Sequence, residues 1–186
     1  MRRILLIIVL CLLAVASTGC KKARLRAQLK ELMSSTIVLP EKITCVYNGE
    51  VFPMPDSLRD KDKLIVFLDS AQCSSCEISH LAQLRPVYEL SKEGKQFETI
   101  VLLSMKKNER DNLLIYLKIL GSEYPVYCDI ENRFRALNPH IPDAPEFHNL
   151  LIGEDGSVVF VGSPILDGGL SPYFLKSVNS INNNKQ

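Results

Sequence analysis

Apolar and polar positions change period along this chain, and the changes mark out an alternating series of strands and helices. Ile43 to Tyr47 and Glu50 to Phe52 flank Asn48-Gly49, a dipeptide that favours a tight hairpin turn, and Pro53 and Pro55 close that unit. Lys63 to Leu68 is a nearly continuous apolar run, as expected of a strand covered on both faces. From Ser74 to Ser91 the spacing turns helical, with Ile78, Leu81, Leu84, Val87, Tyr88 and Leu90 available to a core, and Pro86 inside that span predicts a kink. Phe97 to Leu103 predicts a second buried strand. Asn108 to Leu120 predicts a helix closed by Gly121. Tyr124 to Cys128 is a short strand, and Glu131 to Leu137 makes two helical turns ahead of Asn138-Pro139. Leu150 to Ile152 and Val158 to Val161 flank Glu154-Asp155-Gly156, a second hairpin. Leu170 to Val178 is the last helix, and 182–186 is a polar tail.

That order is a hairpin, then strands separated by helices, then a hairpin and a helix. Helical crossovers imply parallel pairing in the middle, and hairpins add antiparallel strands. The expected fold class is therefore α/β: a central mixed sheet flanked by helices. No internal repeat or long linker interrupts it.

The first residues follow a different rule. Arg2 and Arg3 precede an apolar stretch from Ile4 to Ala16, which ends in Ser17-Thr18-Gly19-Cys20. A basic start, a short apolar run and small residues before a cut describe a secretory signal. The run is shorter than the roughly 20 residues that span a bilayer. The small-small-Gly-Cys ending resembles a bacterial lipobox, with Ser17 where Leu is usual. It implies a signal peptide over 1–19 and lipid on Cys20. An ordinary cleaved signal and an uncleaved anchor are the alternatives. After Cys20, Lys21, Lys22, Arg24, Arg26 and Lys30 stand against Glu31, and Leu25, Leu29 and Leu32 share one helical face. Residues 20–36 thus read as a basic membrane-proximal tether. It either lies on anionic headgroups or acts as a solvated spacer helix. The folded domain is expected over 37–181.

Charge excludes one class of function. The chain has 22 Lys+Arg and 21 Asp+Glu, and no aromatic residues interleave with a basic patch, so nucleic-acid binding has no support. The lack of Trp decides nothing about the fold.

Of six cysteines, Cys11 lies in the signal and Cys20 at its end. Cys45 and Cys128 fall in strand-like runs, where cysteine behaves as a small buried hydrophobe, so both are expected as buried free thiols. Outside the cytoplasm a disulfide between them is the alternative. Cys73 and Cys76 differ in placement. Cys73-Ser74-Ser75-Cys76 sits where the apolar strand hands over to the helical pattern. A thiol at the first turn of a helix meets unpaired N–H groups and the positive end of the helix dipole, which favours the thiolate. Strand, Cys-x-x-Cys, helix is a redox arrangement. Half of a zinc site is the bland alternative, but a second Cys pair or His pair is missing. In a dithiol mechanism Cys73 attacks and Cys76, one turn inward, resolves. Ser74 and Ser75 either donate to the thiolate or cap the helix. His80 reads as a core-edge or surface residue, His140 as a loop residue, and Asp69 as a polar strand end in a turn.

Together these residues resemble the membrane-anchored thioredoxin-like proteins of the TlpA/ResA type, over about residues 43 to 180. The matching parts are Leu64-to-Leu68 leading into Cys73-Ser74-Ser75-Cys76, Phe97-to-Ser104, Asn108-to-Gly121 with Tyr124-Pro125-Val126-Tyr127-Cys128-Asp129, and Leu150-Leu151-Ile152-Gly153-Glu154-Asp155-Gly156. The resemblance implies a thioredoxin-like fold with an N-terminal hairpin and an inserted helix–strand unit. It also implies thiol–disulfide exchange at the bacterial cell envelope, facing the periplasm. Implied partners are protein thiols and disulfides, the membrane through the lipid anchor, and a membrane electron donor that would make the protein a reductase. No cofactor is implied. The chain departs from the family at three places. Gln72 stands where Trp usually precedes the first Cys. Phe67 stands where a strand acid or Asn is common. Phe147 or His148 falls in the slot of the cis-proline that helps bind substrate, with Pro145 two residues early. Phe147 and His148 are therefore the substrate-binding candidates, beside catalytic Cys73 and Cys76. Two other functions stay open: a copper-handling chaperone using Cys73, Cys76 and His148, and a redox-inactive binding module. A peroxidase is disfavoured, because the Pro and Thr context of a peroxidatic cysteine is missing before Cys73.

Overall fold

The computed structural model describes residues 21–69, 81–94, 97–108, 110–120 and 124–183. Residues 21–33 form helix α1. Asn48 and Gly49 both adopt left-handed angles, φ 50° and 77°, and fold β1 (Thr44–Tyr47) onto β2 (Glu50–Pro53) as the dipeptide predicts. The apolar run is β3 (Lys63–Leu68), buried at every position. Then come α2 (Arg85–Gly94), β4 (Glu98–Met105), α3 (Arg110–Leu120), β5 (Val126–Ile130) and α4 (Arg133–Leu137). The chain closes with β6 (Asn149–Ile152), β7 (Val158–Val161), a small β8–β9 hairpin (Ile165–Leu166, Gly169–Leu170) and α5 (Pro172–Asn183).

Seven strands make one sheet in the order β2-β1-β5-β4-β3-β6-β7. The three inner strands β5, β4 and β3 are parallel, and β1, β6 and β7 add antiparallel edges. This is the expected mixed sheet. The parallel pairs arise because α2 and α3 carry the chain back to the strand start, whereas the short turns allow only antiparallel return. The N-terminal hairpin and the inserted α3–β5 unit stand where the sequence places them.

Alternation along the strands makes two cores. Leu64, Val66 and Leu68 face Val87 of α2, Leu117 of α3 and Phe174 of α5. Ile65, Phe67 and Ile100 face the other way, onto Leu32 of α1, Phe134 of α4, and Phe147. That second face shows that α1 is docked. Leu32 is fully buried and Leu25 packs against the same cluster, so these two leucines of the stripe are spent on the domain, while Leu29 stays exposed. The following segment is held by backbone pairing of Thr36 with Ser157, by the Ile37 N–H on the Gly156 carbonyl (2.9 Å), and by the Asn138 amide on both backbone groups of Val38.

Two local expectations change. Pro86 does not kink a long helix. It is the second residue of α2, where a missing N–H costs nothing, and a 3-10 turn at Leu81–Leu84 precedes it. The β8–β9 hairpin was not expected. Its Asp167-Gly168 turn has the left-handed angles of a tight hairpin (φ 51° and 79°), but its strands are too short to leave a periodic signal. Among the described residues no helix is long and apolar enough to cross a membrane.

Candidate functional site

The expected catalytic pair Cys73 and Cys76, the lipid-bearing Cys20 and His80 lie outside the described residues. What is described is the strand that leads to the pair and the shell around its end. β3 is hydrogen-bonded on both sides, parallel to β4 and antiparallel to β6, so the strand preceding Cys73 is fixed along its length.

Asp69, one residue beyond β3 and four before Cys73, is the polar strand end read from the sequence, but a buried and paired one. It is 8% exposed, and its Oδ2 accepts a hydrogen bond from Arg135 Nη2 at 2.7 Å. Phe67 and Asp69 share a strand face because side chains alternate. Phe67 packs on Phe134 (ring centroids 4.9 Å apart) and against the edge of His148 (5.2 Å), and the Arg135 guanidinium lies 5.6 Å from its ring. The slot that commonly holds an acid is therefore aromatic here, and the buried carboxylate appears two residues later with its own cation.

Arg135 also donates to the Ile141 carbonyl (2.7 Å) and pairs with the exposed Asp143 (3.0 Å). One guanidinium thus ties β3, α4 and the 139–146 loop together. Its sequence context, Arg133-Phe134-Arg135 on a short helix, gave no signal of this. The helix is itself set by Asp129 near the end of β5. That buried carboxylate accepts the backbone N–H groups of Arg133 and Phe134 at 3.2 and 2.8 Å.

The two substrate-binding candidates follow that loop. Pro145 opens a 3-10 turn, Pro145–Phe147, and the Phe147 and His148 amides donate to the Ala144 and Pro145 carbonyls, each at 3.0 Å. The His148 carbonyl accepts from the Phe67 N–H at 2.8 Å, which extends the β3–β6 ladder to the end of β3. The sequence-expected slot therefore does lie beside the strand end that leads to Cys73. Peptide bonds among the described residues are trans, including the one before His148. Both side chains are 4% exposed. Phe147 belongs to the core cluster, so it does not form an exposed cover. His148 Nε2 lies 3.1 Å from the Pro142 carbonyl, and burial pushes its pKa below the ordinary histidine value. A neutral imidazole has one N–H. Here that N–H is given to Pro142, leaving Nδ1 as an acceptor.

The other two thiols are buried and free, as expected. The sheet itself separates them. β1 and β5 are neighbours, but Cys45 stands opposite Tyr127 and Cys128 opposite Thr44. One register step puts the sulfurs on opposite faces, in different cores. Burial pushes the Cys45 thiol up to about 11 and the Cys128 thiol up to about 12. Neither is a nucleophile at neutral pH. Among the described residues no group of three or more His, Cys, Asp or Glu is placed to hold a metal ion.

No family model and no curated protein matches the chain. Solved structures do. A thioredoxin-like protein of Porphyromonas gingivalis superposes with a TM-score of 0.50 at 16% identity, over 82% of this chain and 97% of that one. The exposed lipoprotein thioredoxin of Streptococcus pneumoniae gives 0.48 at 14%, over 74% and 97%. The thioredoxin domain of a Bacteroides vulgatus thiol-disulfide oxidoreductase gives 0.47 at 17%, over 78% and 96%. The fold is thioredoxin-like.

Proposed function

We propose that this thioredoxin-like chain is a thiol–disulfide oxidoreductase, lipid-anchored at Cys20 on the periplasmic side of the bacterial cell envelope. Its working pair is Cys73 and Cys76, and it runs as a reductase of protein disulfides. The observation that carries the reading is the position of β3. The inner parallel strand of a thioredoxin-like sheet ends directly ahead of Cys-Ser-Ser-Cys. The burial of Cys45 and Cys128 supports it, because it leaves Cys73 and Cys76 as the thiols with chemistry to do.

The reaction is two thiolate exchanges. The Cys73 thiolate attacks one sulfur of a substrate disulfide, forming a mixed disulfide and releasing one substrate thiolate. The Cys76 thiolate then attacks the Cys73 sulfur. The second substrate thiolate leaves, the substrate has gained two electrons, and Cys73–Cys76 is a disulfide. A membrane dithiol donor returns the two electrons by the same exchange in reverse. At the turn Phe147–His148 the side chains are buried and both amides and the His148 carbonyl are already bonded within the fold, which leaves the Phe147 carbonyl as the group to meet substrate.

Insulin reduction with a chemical dithiol as donor tests the activity, and trapping tests the roles. Cys76→Ser should accumulate mixed disulfides with substrate, and Cys73→Ser should not. An intact chain that neither reduces insulin nor forms a Cys73–Cys76 disulfide would overturn the reading.

A further inference from the structure

We propose that the docked helix α1 holds the end of the domain where β3 finishes toward the bilayer, with anionic lipid headgroups as the partner of Lys21, Lys22 and Arg24. The inference rests on the reading of Cys20 as the lipidated residue and of Cys73–Cys76 as the reactive pair.

The first observation is that α1 cannot swing. Leu32 is sealed in the core, and residues 36–38 are held by Gly156, Ser157 and Asn138. A spacer that only kept the domain off the membrane would need none of these contacts. The second is polarity. The C-terminal end of α1 runs into the Gly156–Ser157 turn between β6 and β7. That turn lies at the sheet end where β3 begins, because Lys63 pairs with Ile152. Helix α1 is roughly 18 Å long.

The third observation fixes the other end. The first turns of α1 (Lys21, Arg24, Leu25) face Pro139, Pro142 and Asp143 across a cleft of about 690 Å³. Asp143 is bonded to Arg135, and Arg135 to Asp69 at the end of β3. The first turn of α1 therefore lines one cleft with the loop that Arg135 ties to the strand end preceding Cys73. Lys21 and the end of β3 belong to the same end of the molecule.

Charge names the partner. Lys21, Lys22, Arg24, Arg26 and Lys30 are all exposed, and Glu31 is the one acid among residues 21–31. The loop across the cleft adds Glu146 and Asp143, the latter paired with Arg135. Leu25 and Leu32 are turned inward, and Leu29 and Met33 stay exposed farther along the helix, so at its first turn α1 presents cations. Phosphate headgroups complement these, and apolar lipid tails do not. A site held this close to the bilayer is presented to disulfides and dithiols at the membrane surface rather than to free solution.

The test uses the full, acylated protein in vesicles whose headgroups carry a quencher. A fluorescent amino acid replaces either the exposed Glu146, at the end where β3 finishes, or the exposed Asp60, at the end where it begins. In vesicles of phosphatidylethanolamine and phosphatidylglycerol, the probe at 146 should be quenched severalfold more than the probe at 60. Changing Lys21, Lys22 and Arg24 together to Glu, with the acyl chains retained, should narrow that difference. So should phosphatidylcholine vesicles. Equal quenching, or stronger quenching at 60, overturns the orientation. A difference of the same size in phosphatidylcholine overturns the headgroups as partner. A chain without acyl groups at Cys20 overturns the anchor and this inference with it. Insulin reduction by the same preparation reports separately whether the thiol reading stands.

Discussion

Asp69 and Arg135 are 66 residues apart in sequence and 2.7 Å apart in space. This contact joins the end of β3 to α4 and, through Asp143 and Ile141, to the loop that delivers Phe147 and His148. One side chain thus ties the end of β3, α4 and that loop together. Arg135→Ala takes the guanidinium from a buried carboxylate and from the Ile141 carbonyl. The expected cost is about 2–3 kcal/mol, below the full value for a buried pair because Arg135 is 21% exposed. Arg135→Lys should recover less than half of it, since an ammonium cannot span both acceptors with a planar fork. Urea unfolding of the two variants measures this.

Cys45 and Cys128 should protect the fold up to alkaline pH and then undermine it. Their ordinary thiol pKa is 9.0, and the folded values are about 11 and about 12. In the native state the neutral thiol is favoured, so stability from these groups is complete below pH 9. It falls as pH rises through 11 and 12, where the unfolded chain has already released its protons. The melting temperature of the Cys45→Ala/Cys128→Ala variant should therefore decline less over that window than that of the parent. At neutral pH iodoacetamide should label Cys73 first, with Cys45 and Cys128 labelled only after denaturation. Mass spectrometry of the peptides checks the order.

His148 contributes with the opposite pH sense. Burial lowers its folded pKa below 6.5, so the neutral ring is favoured in the native state. Its contribution is present above pH 6.5 and is lost as pH falls through the depressed value. Compared with His148→Gln, which can still donate to Pro142, the parent should lose stability on acidification from pH 7 to 5. Parallel pH profiles for the two proteins would rule out a buried neutral imidazole.

Gly156 decides whether α1 stays docked. It has φ +81°, and a Cβ there would meet the Ile37 carbonyl oxygen at 2.6 Å. Gly156→Ala should cost at least the roughly 1–2 kcal/mol of a left-handed residue with a side chain. It should also speed hydrogen exchange at the Ile37 amide, which donates to Gly156. Protected Ile37 exchange in that variant would show that the approach is not as tight as the geometry requires.

Local rules settled much of this protein before any contact was known. Asn48-Gly49 dictated a hairpin because few residues tolerate two left-handed angles in succession. The unbroken apolar run at Lys63–Leu68 required a strand covered on both faces, and the intervening helices required parallel pairing around it. Burial of Cys45 and Cys128 was legible for the same reason. Tertiary structure decided what depends on partners distant in sequence. The register of β1 against β5 placed the two cysteines on opposite faces. Leu25 and Leu32 of α1 could have met lipid or protein, and only their place against the second core shows that they met protein. Asp69 read as a turn residue because its cation comes from Arg135, and no local pattern links an acid after one strand to an arginine on a helix formed much later. Periodicity reports how a segment buries itself. It carries no information about which buried charge will find which partner, because that is fixed only when the sheet brings their elements together.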